Sequence, residues 1–198
     1  MNSSSNVVLC EVFGPHDGFG LWVKRCVLLV FGVLALSVAV KVHIPMYPVP
    51  ITMGTFVVLG LGAAYGLKLG LATIFSYLFI GLLGFDVFAT SSAELNGWNY
   101  MVGTTGGYLV GYVLATAALG YLAQRGWDRS TWWMAFAMLI GNILIYLPGL
   151  LWLGTLLGWD KPILAWGLTP FLIGDALKLA LAAMTLPLLW KIVGDSRL

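Results

Sequence analysis

Asp175 and Lys178 stand three residues apart within residues 169–183, TPFLIGDALKLALAA, a run that is otherwise almost wholly apolar. Two opposite charges in such a setting need a physical reason. A charged side chain near a bilayer centre costs about 3 kcal/mol on insertion scales, so it faces a partner or a cavity. Three residues apart on a helix, the two share a face and partly satisfy each other. Thr169 suits the helix cap and Pro170 its first turn. At the helical rise, Asp175 then lies about 7 Å and Lys178 about 12 Å beyond Pro170. Two readings follow: a salt bridge that locks two helices, or a ligand site that recognises both a hydrogen-bond donor and an anion.

The elements that must position this pair are membrane helices. Of 198 residues, 60% are hydrophobic and 9% charged, with a mean hydropathy of +0.94, whereas soluble domains carry about 25% charged residues. The composition predicts an all-α integral membrane protein of one domain with six transmembrane helices, at about 20 residues per span. Residues 1–22 read as a cytoplasmic tail, partly disordered, 23–192 as the membrane domain and 193–198 as a second short tail. Spans are expected over 26–40, about 55–67, 70–83, 108–123, 132–153 and 170–191. Gly66-Leu67-Lys68-Leu69-Gly70 is a tight turn between the second and third. Pro45, Pro48 and Pro50 make 42–55 a stiff loop. Pro148-Gly149 interrupts the fifth span. The loop over 84–107 is long and aromatic, and loops of that length are usually functional or disordered.

Orientation follows from the positive-inside rule. Lys24, Arg25, Lys68, Arg125, Arg129, Lys191 and Arg197 fall on one side, and Lys41 and Lys161 on the other. Both termini are therefore expected in the cytoplasm of a multi-pass cell (inner) membrane protein. The long loops and the start of the last span then face outward, which predicts a pocket opening to the exterior.

Other chemistry is sparse. A net charge of +2 and the lack of a basic, aromatic-interleaved polar stretch argue against nucleic acid. No GxxxxGK[ST] loop, HExxH or zinc-spaced Cys/His cluster occurs, so neither an intrinsic ATPase nor a metal site is predicted. Cys10 and Cys26 read as incidental thiols. Tyr108, beside Gly106-Gly107 where an outer loop meets a helix, is the better pocket candidate among the aromatics. Ala35 and Ala39 have the four-residue spacing that lets helices approach closely. On a span that is otherwise bulky, they could receive another protein's helix.

VPITMGTF, GTTGGYLVGY, YLPGLLWL and TPFLIGDALKLALAA, in that order, resemble the BioY family, the biotin-binding S components of energy-coupling factor (ECF) transporters. The resemblance covers roughly residues 23–192. It implies a six-helix fold whose outer loops close over one biotin. It also implies a function in biotin capture and uptake, with no catalytic residue and no cofactor. The implied partners are a transmembrane coupling (T) component and cytoplasmic ABC-type ATPases. Carried over by motif, the implied substrate-binding residues are Asp175, Lys178, Thr105, Gly106, Gly107, Tyr108, Thr52 and Thr55. Ala35 and Ala39 would meet the T component. Biotin offers two ureido N–H donors, a carbonyl and a carboxylate, for which Asp175 and Lys178 are complementary partners. The glycines would let backbone approach the ring, and Tyr108 could pack on the apolar body. An S component for another small vitamin, or an intramembrane enzyme using Asp175 as acid or base, are the competing readings.

Overall fold

The computed structural model describes residues 7–92 and 94–195. Apolar length sets its main elements: α2 (Gly18–Lys41), α3 (Gly54–Leu82), α5 (Gly106–Gln124), α6 (Thr131–Leu157) and α8 (Leu172–Asp195). Short helices α1 (Leu9–Val12), α4 (Gly97–Met101) and α7 (Ile163–Gly167) sit between or before them. Five helical stretches among the described residues are long and apolar enough to cross a membrane, the last joining α7 and α8 as Ile163–Ile192. The chain is thus an all-helical, multi-pass membrane protein, with five such stretches where six were expected.

The difference lies in α3. At Gly66 the backbone leaves the helical region for φ 72°, ψ −176°, a left-handed φ that a side chain disfavours. A Cβ placed on Gly70 would lie 3.6 Å from the Gly62 Cα and 3.7 Å from the Leu61 carbonyl oxygen. In a straight helix those eight residues would span about 12 Å. The chain therefore doubles back at Gly66, where the sequence predicts a turn, and the two halves of α3 pack on each other. Gly32 of α2 rests against both halves, meeting Leu61 and Tyr65 on one and Thr73 on the other.

Other local expectations change similarly. The proline loop is bracketed by a two-residue antiparallel pair, β1 (His43–Ile44) with β2 (Ile51–Thr52), which pairs His43 with Thr52. Pro148 stays inside a continuous α6. Its missing N–H frees the Leu144 carbonyl, which lies against Gly111 of α5. Thr169 does not cap α8; its hydroxyl donates back to the Leu164 carbonyl at 3.2 Å, and a 3-10 turn over Thr169–Phe171 leads into the helix. The N-terminal segment is part of the bundle: Val8 and Val12 are buried, and Val8 abuts Gly66. Residues 1–6 and 196–198 of the expected tails lie outside the described residues.

The basic end is tied together by polar contacts. Gln124 reaches Gly66, Arg129 donates to the Val7 carbonyl at 3.3 Å, and its guanidinium lies 4.5 Å from the Trp190 ring centre. Asp128, 1% exposed, accepts from the Trp190 indole N–H, while its Oδ1 has no partner. Burial pushes its carboxyl up to about 6, with the Trp190 bond and the Arg129 charge opposing. Because the folded state holds the proton more tightly than an unfolded Asp, stability contributed here falls as pH rises from about 4 through 6. Asp128→Asn should therefore raise the melting temperature at pH 7. It should also flatten its pH dependence between pH 5 and 7, as followed by thermal unfolding in detergent.

Candidate functional site

At the opposite end, the last turn of α2, the start of α3, the start of α5, the middle of α6 and the start of α8 surround a cavity. Its wall is a tyrosine-rich box: Tyr77, Tyr100, Tyr108, Tyr112 and Tyr146, with Phe88 and Phe171. Tyr108 and Tyr146 meet edge to face, centroids 6.2 Å apart at 89°. Phe88, 1% exposed, comes from the long loop between α3 and α4. It stacks on Tyr100 at 4.7 Å and meets Tyr77 edge-on at 5.5 Å. Its ring occupies the space left by Gly81, where a Cβ would come within 2.1 Å of it.

That loop is fastened to its neighbours by polar contacts. Lys41 at the end of α2 pairs with Asp86 at 2.5 Å, and Ser91 donates to the same carboxylate oxygen. The bond from Lys41, reinforced by Ser91, holds the Asp86 carboxyl below its usual range. The Tyr77 hydroxyl donates to the Val87 carbonyl at 3.0 Å. The Thr104 hydroxyl ties the start of α5 to the proline loop through the Pro48 carbonyl at 2.7 Å.

Lys178 forms the floor. Lys178 Nζ donates to Asp175 Oδ1 at 3.0 Å, to the Thr52 carbonyl at 2.8 Å and to Thr55 Oγ1 at 3.0 Å, which uses all three of its protons. Asp175 lies in the first turn of α8, where the helix dipole favours a carboxylate. It is 5% exposed and also accepts from the Tyr146 hydroxyl. Both charges are thus paired and hydrogen-bonded, the condition under which buried ions are tolerated.

Of the residues expected around a ligand, Lys178, Thr52, Thr55, Thr105 and Tyr108 line the cavity; Asp175, Gly106 and Gly107 do not. Asp175 lies behind Lys178 and Tyr146, beside a groove between α6 and α8, and orients both of them. Gly106 and Gly107 are filled by protein. A Cβ on Gly106 would lie 2.2 Å from the Met101 carbonyl oxygen, and one on Gly107 2.3 Å from that of Pro148. These two glycines let the start of α5 approach α4 and α6 closely. The Tyr108 hydroxyl is spent on the Gly167 carbonyl at 2.9 Å, so the face of its ring is what it offers. Gly54 has no room for a side chain, since a Cβ there would sit 2.6 Å from Val40 and 2.8 Å from the Tyr112 hydroxyl. Ala39 is buried within the chain and Ala35 half-buried; α2 turns Phe31, Leu34 and Val38 outward.

Tyr146 is the main residue that sequence reasoning missed. It stands in YLPGLLWL, and the available signal was its hydroxyl, a polar group in an apolar span that needs a buried partner.

The BioY family model matches residues 14–195. A probable biotin transporter BioY of Pyrococcus horikoshii is 32% identical over 161 residues, 81% of this chain and 93% of that protein. The biotin transporter BioY of Thermotoga maritima is 31% identical over 149 residues, 75% and 85% of the two chains. A probable biotin transporter BioY of Rickettsia prowazekii is 28% identical over 82% of each. A crystal structure of the S-component for biotin from an ECF-type ABC transporter superposes with a TM-score of 0.74 over 89% of this chain and 95% of that one, and at 21% identity it speaks to the fold. With a family match running from before α2 to the last described residue, and relatives above 30% identity along most of the chain, this protein belongs to the BioY family.

Proposed function

We propose that the chain captures biotin and serves its uptake as the substrate-binding S component of an ECF-type transporter. The carrying observation is the Lys178 ammonium at the floor of a tyrosine-lined cavity, set by Asp175, Thr52 and Thr55. It offers protons to an acceptor of the vitamin, while the aromatic box suits the apolar thiophane body. A ligand acceptor reaches Lys178 by replacing one of its present acceptors, which favours molecules that restore the bond and gives selectivity. The chain is a binding subunit and not an enzyme, as befits its family.

The reversal at Gly66 supports six membrane crossings, with each half of α3 counted once. Lys24, Arg25 and Lys68 lie around one end and Lys41 and Lys161 elsewhere, which supports cytoplasmic termini and a site opening outward. Energy for uptake then comes from a T component and ATPases that bind the chain.

Equilibrium binding of labelled biotin to the purified chain tests the function. One saturable site per chain, with biotin recovered chemically unchanged by mass spectrometry, is expected. Saturable binding of another vitamin in its place, or an altered product, would overturn the reading. The partner surface is tested separately. Because Ala39 is buried, Ala35→Trp is the cleaner probe on α2. It should abolish ATP-driven uptake in cells carrying the coupling module and leave biotin affinity unchanged; undiminished uptake removes this face from the interface.

A further inference from the structure

We propose a second binding site, for the phosphate headgroup of an anionic phospholipid, in the cavity at the end of the molecule opposite the tyrosine box. This cavity lies between the first half of α2, the bend of α3 and the one-turn helix α1. Lys24, Arg25 and Lys68 line it, against a single carboxylate, Glu11. None of the three cations enters an ion pair among the described residues. Three cations against one carboxylate in one concavity leave an excess of positive charge complementary to a phosphate, and basic pockets between membrane helices on one side of a bilayer take lipid headgroups.

The rest of the cavity favours a lipid over a free anion. Its lining is mostly apolar, with Leu28 and Leu69 among its walls. Trp22 lines it while remaining 67% exposed, the position that an interfacial tryptophan takes at headgroup level. On the cavity's own wall Leu21, Leu28 and Leu29 of α2 form an apolar strip along which an acyl chain can lie. Lys24 and Arg25 sit about two turns inside the start of a helix long enough to span the bilayer, so their long side chains reach the headgroup layer.

The full chain in neutral detergent, titrated with phosphatidylglycerol, phosphatidylcholine or inorganic phosphate, tests this by thermal unfolding and by native mass spectrometry. Phosphatidylglycerol should raise the melting temperature and remain bound, phosphatidylcholine should do neither, and inorganic phosphate should fail to replace the lipid. At about 1 kcal/mol per basic residue near a charged surface, Lys68→Gln should weaken phosphatidylglycerol binding about fivefold, and K24Q/R25Q/K68Q about a hundredfold. Biotin binding should be unchanged in both, which separates this site from the function proposed above. The single variant keeps the test open if the triple one does not fold. Equal binding of the two lipids, an equal effect of inorganic phosphate, or unaltered lipid affinity in the variants would overturn the proposal. So would unaltered lipid binding with lost assembly onto the coupling protein, which would assign the cavity to a protein partner.

Discussion

Lys178→Met is expected to weaken biotin binding by about 30-fold to 1000-fold, on the order of 2 to 4 kcal/mol. Among the described residues the ammonium is the one cation lining the cavity, and its geometry is imposed by three acceptors on three different elements: Asp175 on α8, the Thr52 carbonyl on β2 and Thr55 on α3. Methionine keeps the length of the side chain and removes its protons. An acceptor on the vitamin then loses its cationic donor, and the carboxylate of Asp175 keeps only the Tyr146 hydroxyl. Removing one partner of a buried pair typically destabilises by about 3 to 5 kcal/mol because the other is left uncompensated. Stability should therefore fall together with affinity.

The double variant Asp175→Asn/Lys178→Met separates the two effects. With no charge left to bury, it should recover most of the lost melting temperature while biotin binding stays weak. Titration calorimetry beside thermal unfolding reads both quantities. Wild-type affinity in a folded Lys178→Met protein would remove the assigned role.

Gly107→Ala should cost on the order of 3 kcal/mol, or a fall of about 10 °C in melting temperature for a chain of this size. The added methyl would sit 2.3 Å from the Pro148 carbonyl oxygen, 2.4 Å from the Trp152 Cβ and 3.0 Å from the Gly149 Cα. Two of these three are backbone atoms, which cannot swing away as a side-chain tip does, so α5 and α6 must separate. The same approach carries Tyr108 over Gly149, where a Cβ would come within 2.6 Å of its ring. Separation therefore also displaces Tyr108 from its edge-to-face contact with Tyr146. Biotin affinity should drop with stability in this variant. Gly60→Ala is the control: nothing lies within 4 Å of a Cβ there, and a helical alanine in place of glycine gains about 0.5 to 1 kcal/mol. Its melting temperature should hold or rise. Equal thermal stability of the Gly107 variant and wild type would show that the helices have slack at this crossing.

Phe88 illustrates why part of the site could not be anticipated. In sequence it is one aromatic among several in a long loop, yet its ring fills the hollow of Gly81 and stacks on Tyr100, closing one wall of the cavity. That contact joins residues whose proximity depends on how α3 and α4 lie together. Ala35 and Ala39 make the same point from the other side. Their spacing suggests a groove, but the rotation of α2 about its axis decides which alanine is covered, and Ala39 is.

The sequence by itself determined that the chain lies in a membrane, that basic residues gather at one end, and that Asp175 and Lys178 mark the special position. Those properties are local: hydropathy, charge bias and two ions in an apolar helix have one meaning wherever the helices pack. The tertiary structure alone decided that Lys178 faces the cavity while Asp175 stands behind it with Tyr146, and that Gly106 and Gly107 receive protein in place of a ligand. It likewise decided that the expected second and third spans form one element reversed at Gly66. Each of these turns on which faces meet, and that is fixed by close contacts between glycines and side chains far apart in the chain, with distances that no single segment encodes.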